Sequence, residues 1–278
     1  MAIIYIAGLQ RSGTTFLQSL LLQYNNVVAL GEVNATINAI RNVDRKTPKW
    51  KLKVNRRKEN YWNPKTYHIL LDRIGKDSFW GPIENKVREA GNLQSALEVV
   101  YNNASEKYPD HIFIDSSKSI ESLKKIMELN RFKDNVKVLF CIRDYRGWLY
   151  STKKHRKRID IPQRNNLTEI YKWYWANKKI LDYLHENFNS QHCVVSYDKL
   201  IFSYEEVMKK IASYCGLNSV TDSGNEEKFH EILGSQSLKQ NTNLKEIRYD
   251  ATWFSHSGSC LEKPVSLFNK KAYLKYSI

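Results

Sequence analysis

The sequence predicts an α/β fold, a parallel sheet of the phosphate-loop type flanked by helices. Three observations carry that expectation. A short apolar run, AIIYIA (2–7), leads straight into a glycine-rich turn and then a helical pattern. The same unit, an apolar run followed by a helix, recurs three times along the chain. The polar residues best suited to chemistry gather where those runs end, which is where open parallel sheets bind ligands.

Taken in order, AIIYIA is continuously apolar and reads as a strand buried on both faces. TTFLQSLLLQY (14–24) places Phe16, Leu17, Leu20, Leu21 and Tyr24 at helical spacing, so the glycine-rich turn joins a strand to a helix N-terminus. Residues 45–110 hold no clear strand and read as a helical, basic insertion over the site, not a separate domain. HIFID (111–115) is a strand followed by SSK and a helix over 119–130. VKVLFCI (136–142) is a strand followed by RDYRG and a helix to 157. Residues 168–188 form a long amphipathic helix through Ile170, Trp173, Tyr174, Asn177, Ile180, Leu181 and Leu184. HCVVSY (192–197) is the next strand, with a helix over 203–215. Residues 218–225 are a polar loop, and 235–278 show no usable periodicity. The whole, 1–278, reads as a single domain.

Composition narrows the function. The chain carries a formal net charge of +15, and the excess is local. Residues 41–88 hold 14 basic and five acidic side chains, and residues 153–179 hold nine and two, so the remainder is close to neutral. A concentrated positive field suits an anionic ligand, although a solvated basic face has the same composition. RKTPKWKLKVNRRK (45–58) also raises nucleic acid or another polyanion, but no known nucleic-acid module accompanies it. No apolar run reaches the ~18 residues of a membrane span. MAIIYIAG is too short and lacks the basic leader of a secretory signal. The four cysteines, Cys141, Cys193, Cys215 and Cys260, have no metal or redox spacing, which fits a reducing, cytoplasmic setting.

The informative motif is GLQRSGTTFL (8–17). Its glycines stand as in the loop G-x-x-x-x-G-K-[ST], but Thr14 occupies the lysine position and Arg11 lies three residues earlier. Backbone N–H groups of Ser12, Gly13, Thr14 and Thr15 at a helix N-terminus would still cradle an oxyanion. Nucleotide triphosphatases need the lysine and a magnesium ion because the transferring phosphoryl group is heavily charged. A sulfuryl group carries less charge, and Arg11 could stabilise the departing phosphate without a metal.

RSGTT after an N-terminal strand resembles the 5′-phosphosulfate loop of the sulfotransferases that use 3′-phosphoadenosine 5′-phosphosulfate (PAPS). A second stretch, RDYRGWLYS (143–151), resembles the family's 3′-phosphate motif, which places Arg143 and Ser151 on that phosphate. VVSYDKL (194–200) resembles a segment that sets Tyr197 near the nucleotide, with a core tyrosine as the plain alternative. NNVVALGEV (25–33) is similar to the Gly-Glu segment of tyrosylprotein and bacterial sulfotransferases, and the resemblance makes Glu32 the general base. A glutamate's ordinary pKa of about 4.3 is low for that task, so burial is expected to raise it. A capping or salt-bridged Glu32 is the alternative. DSSK (115–118) is similar to bacterial members and would put Ser117 and Lys118 near the sulfate or acceptor, unless Ser116 or Ser117 simply caps a helix. His68 and His111 match no motif, and His230 in HEILGS resembles a late segment near the cofactor.

The resemblance thus implies a PAPS-dependent sulfotransferase that sulfates a hydroxyl of a small-molecule or glycan acceptor, with no metal and no nucleic acid, the 45–110 segment being an acceptor-side cap. Two rival classes stay open on sequence. One is a phosphate-loop kinase using Asp115 and magnesium. The other is a non-enzymatic basic module for polyanions.

Overall fold

The computed structural model describes residues 2–42, 71–158, 160–188 and 192–217, and the single positions 220, 229, 230 and 232. Five strands form one parallel sheet in the order β2-β3-β1-β4-β5. They are β1 (Ala2–Gly8), β2 (Val27–Gly31), β3 (Ile112–Lys118), β4 (Val136–Ile142) and β5 (His192–Ser196). Because all five run the same way, their C-terminal ends share one edge. β1 lies in the middle, paired from Ala2↔Ile112 to β3 and from Ile3↔Val136 to β4.

Alternation along the strands sorts the core into two layers. Ile3, Tyr5 and Ala7 of β1, with Val136, Val138, Phe140 and Ile142 of β4, face one layer. Ile4 and Ile6, with Leu139 and Cys141, face the other. The second layer is covered by α1 (Thr14–Leu21), α8 (Tyr197–Phe202) and α9 (Tyr204–Cys215), the last stopped by Gly216 in the left-handed region. The first layer is larger and holds α2 (Val33–Asn42), α3 (Trp80–Glu89), α4 (Leu93–Lys107), α5 (Ile120–Met127), α6 (Tyr145–Arg158) and α7 (Asn166–Phe188). Asn92 caps α4 by accepting from Ser95 N at 2.9 Å, and Ser119 caps α5.

Four of the five strands fall where their apolar runs predicted. β2 is additional: VVALG, the stretch expected only as the carrier of Glu32, pairs with β3 at the sheet edge. α1 ends at Leu21, before the predicted Tyr24, and that leaves room for the turn into β2. β3 runs three residues beyond HIFID, so Ser116, Ser117 and Lys118 belong to the strand. The short α8 at Tyr197 was also not foreseen.

Of the segment 45–110 read as a basic insertion, residues 45–70, His68 among them, lie outside the described residues, as do Cys260, the stretch 235–278 and, apart from Val220, the polar loop 218–225. Residues 71–107 are helical and lie against the sheet face: Phe79, Trp80, Ile83, Val87, Leu97, Val100 and Tyr101 all belong to the larger core layer. His230 is bound into the same layer. Its imidazole meets Tyr108 Oη through Nε2 at 2.7 Å and Asp77 through Nδ1, its ring stacks on Phe79, and its backbone N donates to Ala29 O. His230 is therefore a core histidine, not a nucleotide contact. His111 stands at the start of β3, the opposite end of the sheet from the site, against Pro109 O.

The buried Trp80 indole donates to the His230 carbonyl at 2.9 Å. Replacing it leaves that carbonyl without its donor and opens a gap in the layer. Trp80→Phe is expected to cost about 1–3 kcal/mol, read as a lower urea midpoint with an unchanged slope.

Candidate active site

The site forms where the strands end. β1 closes at Gly8, whose φ is 149°, and a Cβ there would lie 2.5 Å from the Cys141 carbonyl oxygen. Only glycine lets the loop leave the sheet so close to β4. The chain then turns through 9–13. Ser12 N donates to Leu9 O at 3.2 Å, and Ser12 O accepts from Cys141 Sγ at 3.0 Å. Gly13 is the N-cap of α1 with φ 94°, and Leu17 N donates to its carbonyl at 2.9 Å. Thr14 is buried and Thr15 half-buried at the start of the helix. Ser12 is fully buried, and its Oγ has no hydrogen-bond partner. A buried hydroxyl of that kind is uncommon unless a ligand or ion completes it.

One aromatic ring ties this loop to the next strand. Tyr197, the first residue of α8, lies so close to Gly13 that a Cβ on Gly13 would meet Cδ2 at 2.2 Å. The Arg143 guanidinium lies over the same ring, 4.5 Å from its centroid. Phe16 of α1 meets it edge-on at 6.0 Å. Arg143 is only 7% exposed, and its Nε has no hydrogen-bond partner. Asp198 Oδ2 accepts from Asp144 N at 3.1 Å and holds α8 against the exit of β4. Loop, Arg143 and Tyr197 thus form one cluster. Ser151 is half-buried about two turns into α6.

A second cluster lies across the loop, at the ends of β2 and β3. Glu32 caps α2, its carbonyl accepting from Thr36 N at 2.9 Å, and its carboxylate pairs with the Lys118 ammonium. Lys118 is held at φ 68°, unusual for a lysine, which turns its side chain toward that partner. The expected burial of Glu32 is only partial, with 23% of its side chain exposed. Ser117 is committed to the scaffold: its Oγ donates to Asp115 Oδ1 and accepts from Asn34 N at 3.0 Å.

Asp115 anchors this second cluster. It is fully buried and accepts from Ser117 N at 2.8 Å, from Tyr101 Oη at 2.7 Å and from the backbone of Val33. Burial pushes its carboxyl up to about 6, against the pull of the Ser117 and Tyr101 hydrogen bonds. Burial, with the nearby Asp115 charge, raises the Tyr5 and Tyr101 phenols as well. An enclosed carboxyl whose oxygens serve the N-terminus of α2 is not the open strand-end acid that the kinase reading needed.

Two residues were not anticipated. Trp148 Nε1 donates to Gln10 O at 2.8 Å, and His155 Nδ1 meets the Arg11 guanidinium. Both stand on α6, seven residues apart and so on one face of the helix, which is the only signal the sequence offered.

A family model described as "Sulfotransferase family" matches residues 3–222. The sulfotransferase domain of the Synechococcus PCC 7002 olefin synthase is similar in fold, with a TM-score of 0.55, 15% identity, and coverage of 98% of this chain and 94% of that one. The sulfotransferase domain of the curacin biosynthetic pathway gives 0.52 and 13%, covering 95% and 97%. Sulfotransferase STF9 from Mycobacterium avium gives 0.53 and 11%, covering 100% and 78%. No curated protein matches. The chain belongs to the sulfotransferase family, and its five-stranded parallel sheet flanked by helices is the fold of that enzyme class. Among the described residues, no helix is long and apolar enough to cross a membrane.

The Asp115 environment makes a pH prediction. Its carboxyl is expected to titrate near 6, in place of its usual 3.8, when followed by the carboxyl ¹³C shift. A raised carboxyl favours folding fully below the unfolded value, and that contribution is lost as pH rises through 6. A titration near 4 would show that the carboxyl is hydrated.

Proposed function

We propose that the protein transfers the sulfuryl group of PAPS to a hydroxyl of a small-molecule or carbohydrate acceptor, with Glu32 as general base. The observation that carries this reading is the Tyr197 ring, packed against Gly13 and beneath the Arg143 guanidinium. It brings the anion-cradling loop and a buried, hydrogen-bond-deficient cation to one place, as a nucleotide phosphorylated at both 5′ and 3′ ends requires.

In this reading the Ser12 N–H is given to Leu9 O, and the backbone N–H groups of Gly13, Thr14 and Thr15, with the buried hydroxyl of Ser12, hold the 5′-phosphate. Arg11 meets the charge that grows on it as the sulfuryl group departs. Arg143 and Ser151 hold the 3′-phosphate beside Tyr197. The acceptor oxygen bonds to sulfur as the bond from sulfur to the 5′-phosphate oxygen breaks, and Glu32 takes the acceptor proton. Lys118, paired with Glu32, fixes the carboxylate and stands on the acceptor side, while Ser117 supports the turn that presents Glu32. The products are a sulfate ester and adenosine 3′,5′-bisphosphate. A cytoplasmic setting goes with this reading: Cys141, Cys193 and Cys215 are all free and buried.

Calorimetric titration without added metal tests the nucleotide assignment. Adenosine 3′,5′-bisphosphate is expected to bind at least about tenfold more tightly than ADP, since losing one charged pair costs about 1.5–3 kcal/mol. Arg143→Ala should remove the preference, and equal or tighter ADP binding rejects the reading. Glu32→Gln is expected to slow PAPS turnover about 10²–10⁴-fold with nucleotide affinity unchanged. Turnover is read as release of adenosine 3′,5′-bisphosphate with water in the acceptor's place, and a Gln variant at full rate removes Glu32 as base.

A further inference from the structure

The helix that follows Arg143 does more than carry Ser151. α6 grips two consecutive residues of the phosphate loop: Trp148 Nε1 holds the Gln10 carbonyl at 2.8 Å, and His155 meets the Arg11 side chain. Arg11 itself has φ 72°, so its backbone is turned into the left-handed region as its side chain reaches α6. A cavity of about 170 Å³ adjoins this contact, lined by Leu9, Trp148, Thr152, Glu169 and Lys172 as well as Arg11 and His155. The guanidinium therefore sits at the rim of open space beside the loop, with an imidazole as one of its partners.

The chemistry of that partner is fixed by its neighbours. Nδ1 of His155 meets both Arg11 Nη2 and, at 3.2 Å, Arg158 Nη2. A guanidinium has donors only, so Nδ1 must offer its lone pair to both, and the ring proton belongs on Nε2. Burial, reinforced by the two guanidinium charges, pushes the imidazole down to about 4, so it stays a neutral acceptor through the neutral range.

We propose that His155 is a positioning residue for sulfuryl transfer, which acts by holding the Arg11 guanidinium beside the phosphate loop through its bare Nδ1. The proposal rests on the role given above to Arg11. An arginine on a free four-bond stem samples many rotamers, whereas one fixed by an acceptor is already placed when charge develops on the leaving phosphate. Because the effect falls on the transition state, it belongs in kcat and not in nucleotide affinity. His155 touches neither the sulfuryl group nor the nucleotide in this account, and its influence passes wholly through Arg11.

The test uses the full chain and PAPS turnover with water as acceptor. Water oxygen bonds to sulfur, the bond from sulfur to the 5′-phosphate oxygen breaks, and inorganic sulfate, adenosine 3′,5′-bisphosphate and two protons leave. His155→Ala is expected to lower kcat about 10- to 100-fold, with KM for PAPS and the affinity for adenosine 3′,5′-bisphosphate within about twofold. His155→Asn, whose Oδ1 replaces Nδ1 as an acceptor, should recover most of the loss. The double variant Arg11→Ala/His155→Ala should be no slower than Arg11→Ala alone, a non-additivity that a merely structural role would not give. If His155→Ala folds poorly, His155→Asn against His155→Lys carries the same comparison, because lysine cannot accept from a guanidinium. A wild-type rate for His155→Ala beside a slow Arg11→Ala overturns the positioning role alone. So does a double variant whose losses multiply. An undiminished rate for Arg11→Ala overturns the role of Arg11 and the inference with it.

Discussion

The constraint on which this structure depends is that β1 is paired on both sides, buried on both faces, and must still turn sharply out of the sheet at its C-terminal end. Ile3, Ile4, Tyr5, Ile6 and Ala7 are wholly buried, so the strand cannot shift to ease the turn. Gly8 and Gly13 absorb the turn instead, one against the Cys141 carbonyl and the other against the Tyr197 ring. Tyr197 is in turn fixed by the N-terminus of α8, where Ser196 accepts from Lys199 N. The close approach of ring and glycine is what brings β5, β1 and the Arg143 turn of β4 to a common place.

Of the four described non-glycine residues with positive φ, Arg11 and Lys118 lie at this edge, and Asp110 and Asp160 lie in turns elsewhere. Arg11 and Lys118 are both long side chains in the left-handed region, an arrangement that costs about 1–2 kcal/mol per residue for an L-amino acid. Each is held there by a partner across a strand gap, Arg11 by His155 of α6 and Lys118 by Glu32 at the head of α2. The sheet order puts β2 and β3 on one side of β1 and β4 and β5 on the other, so Lys118 ends the strand beside β1 while Arg11 stands in the loop itself. Strain of this kind persists only where surrounding structure over-determines it, and it gathers at functional sites.

How much of this could be read in the sequence depended on distance along the chain. The strands 2–7, 111–115, 136–142 and 192–197 announced themselves as apolar runs ending in polar turns, the last one residue too long because Tyr197 opens α8, and the loop motif lay intact between strand and helix. β2 did not, because VVALG is a short apolar run that periodicity cannot separate from a buried turn, and only pairing with β3 makes it a strand. The helices over 71–107 looked like part of an insertion because they follow the basic stretch 45–58 and hold no strand between them; Trp80 and Tyr101 belong to the core through partners far away, at His230 and Asp115. Arg143 and Tyr197 were legible through family motifs, but the ring that joins them to Gly13 was not, since no local pattern encodes a contact across 184 residues. The link from Arg11 to His155 was hidden for the same reason.

Asp115 shows how the chemistry of the class is rewritten in side chains. In a phosphate-loop fold, an acid at the end of the strand beside β1 is well placed to serve a metal–nucleotide complex, which in turn calls for the loop lysine. Here the lysine position is Thr14, and the acid is folded inward to Ser117, Tyr101 and the start of α2. The two departures belong together. A loop that meets a less charged transferring group has no call for a second positive centre bridging the phosphates, and the strand-end carboxyl is then free to become structural. By capping α2 through Val33 and, via Ser117, Asn34, it sets the direction in which Glu32 leaves β2. The position that would serve a metal in one chemistry holds the N-terminus of α2 here.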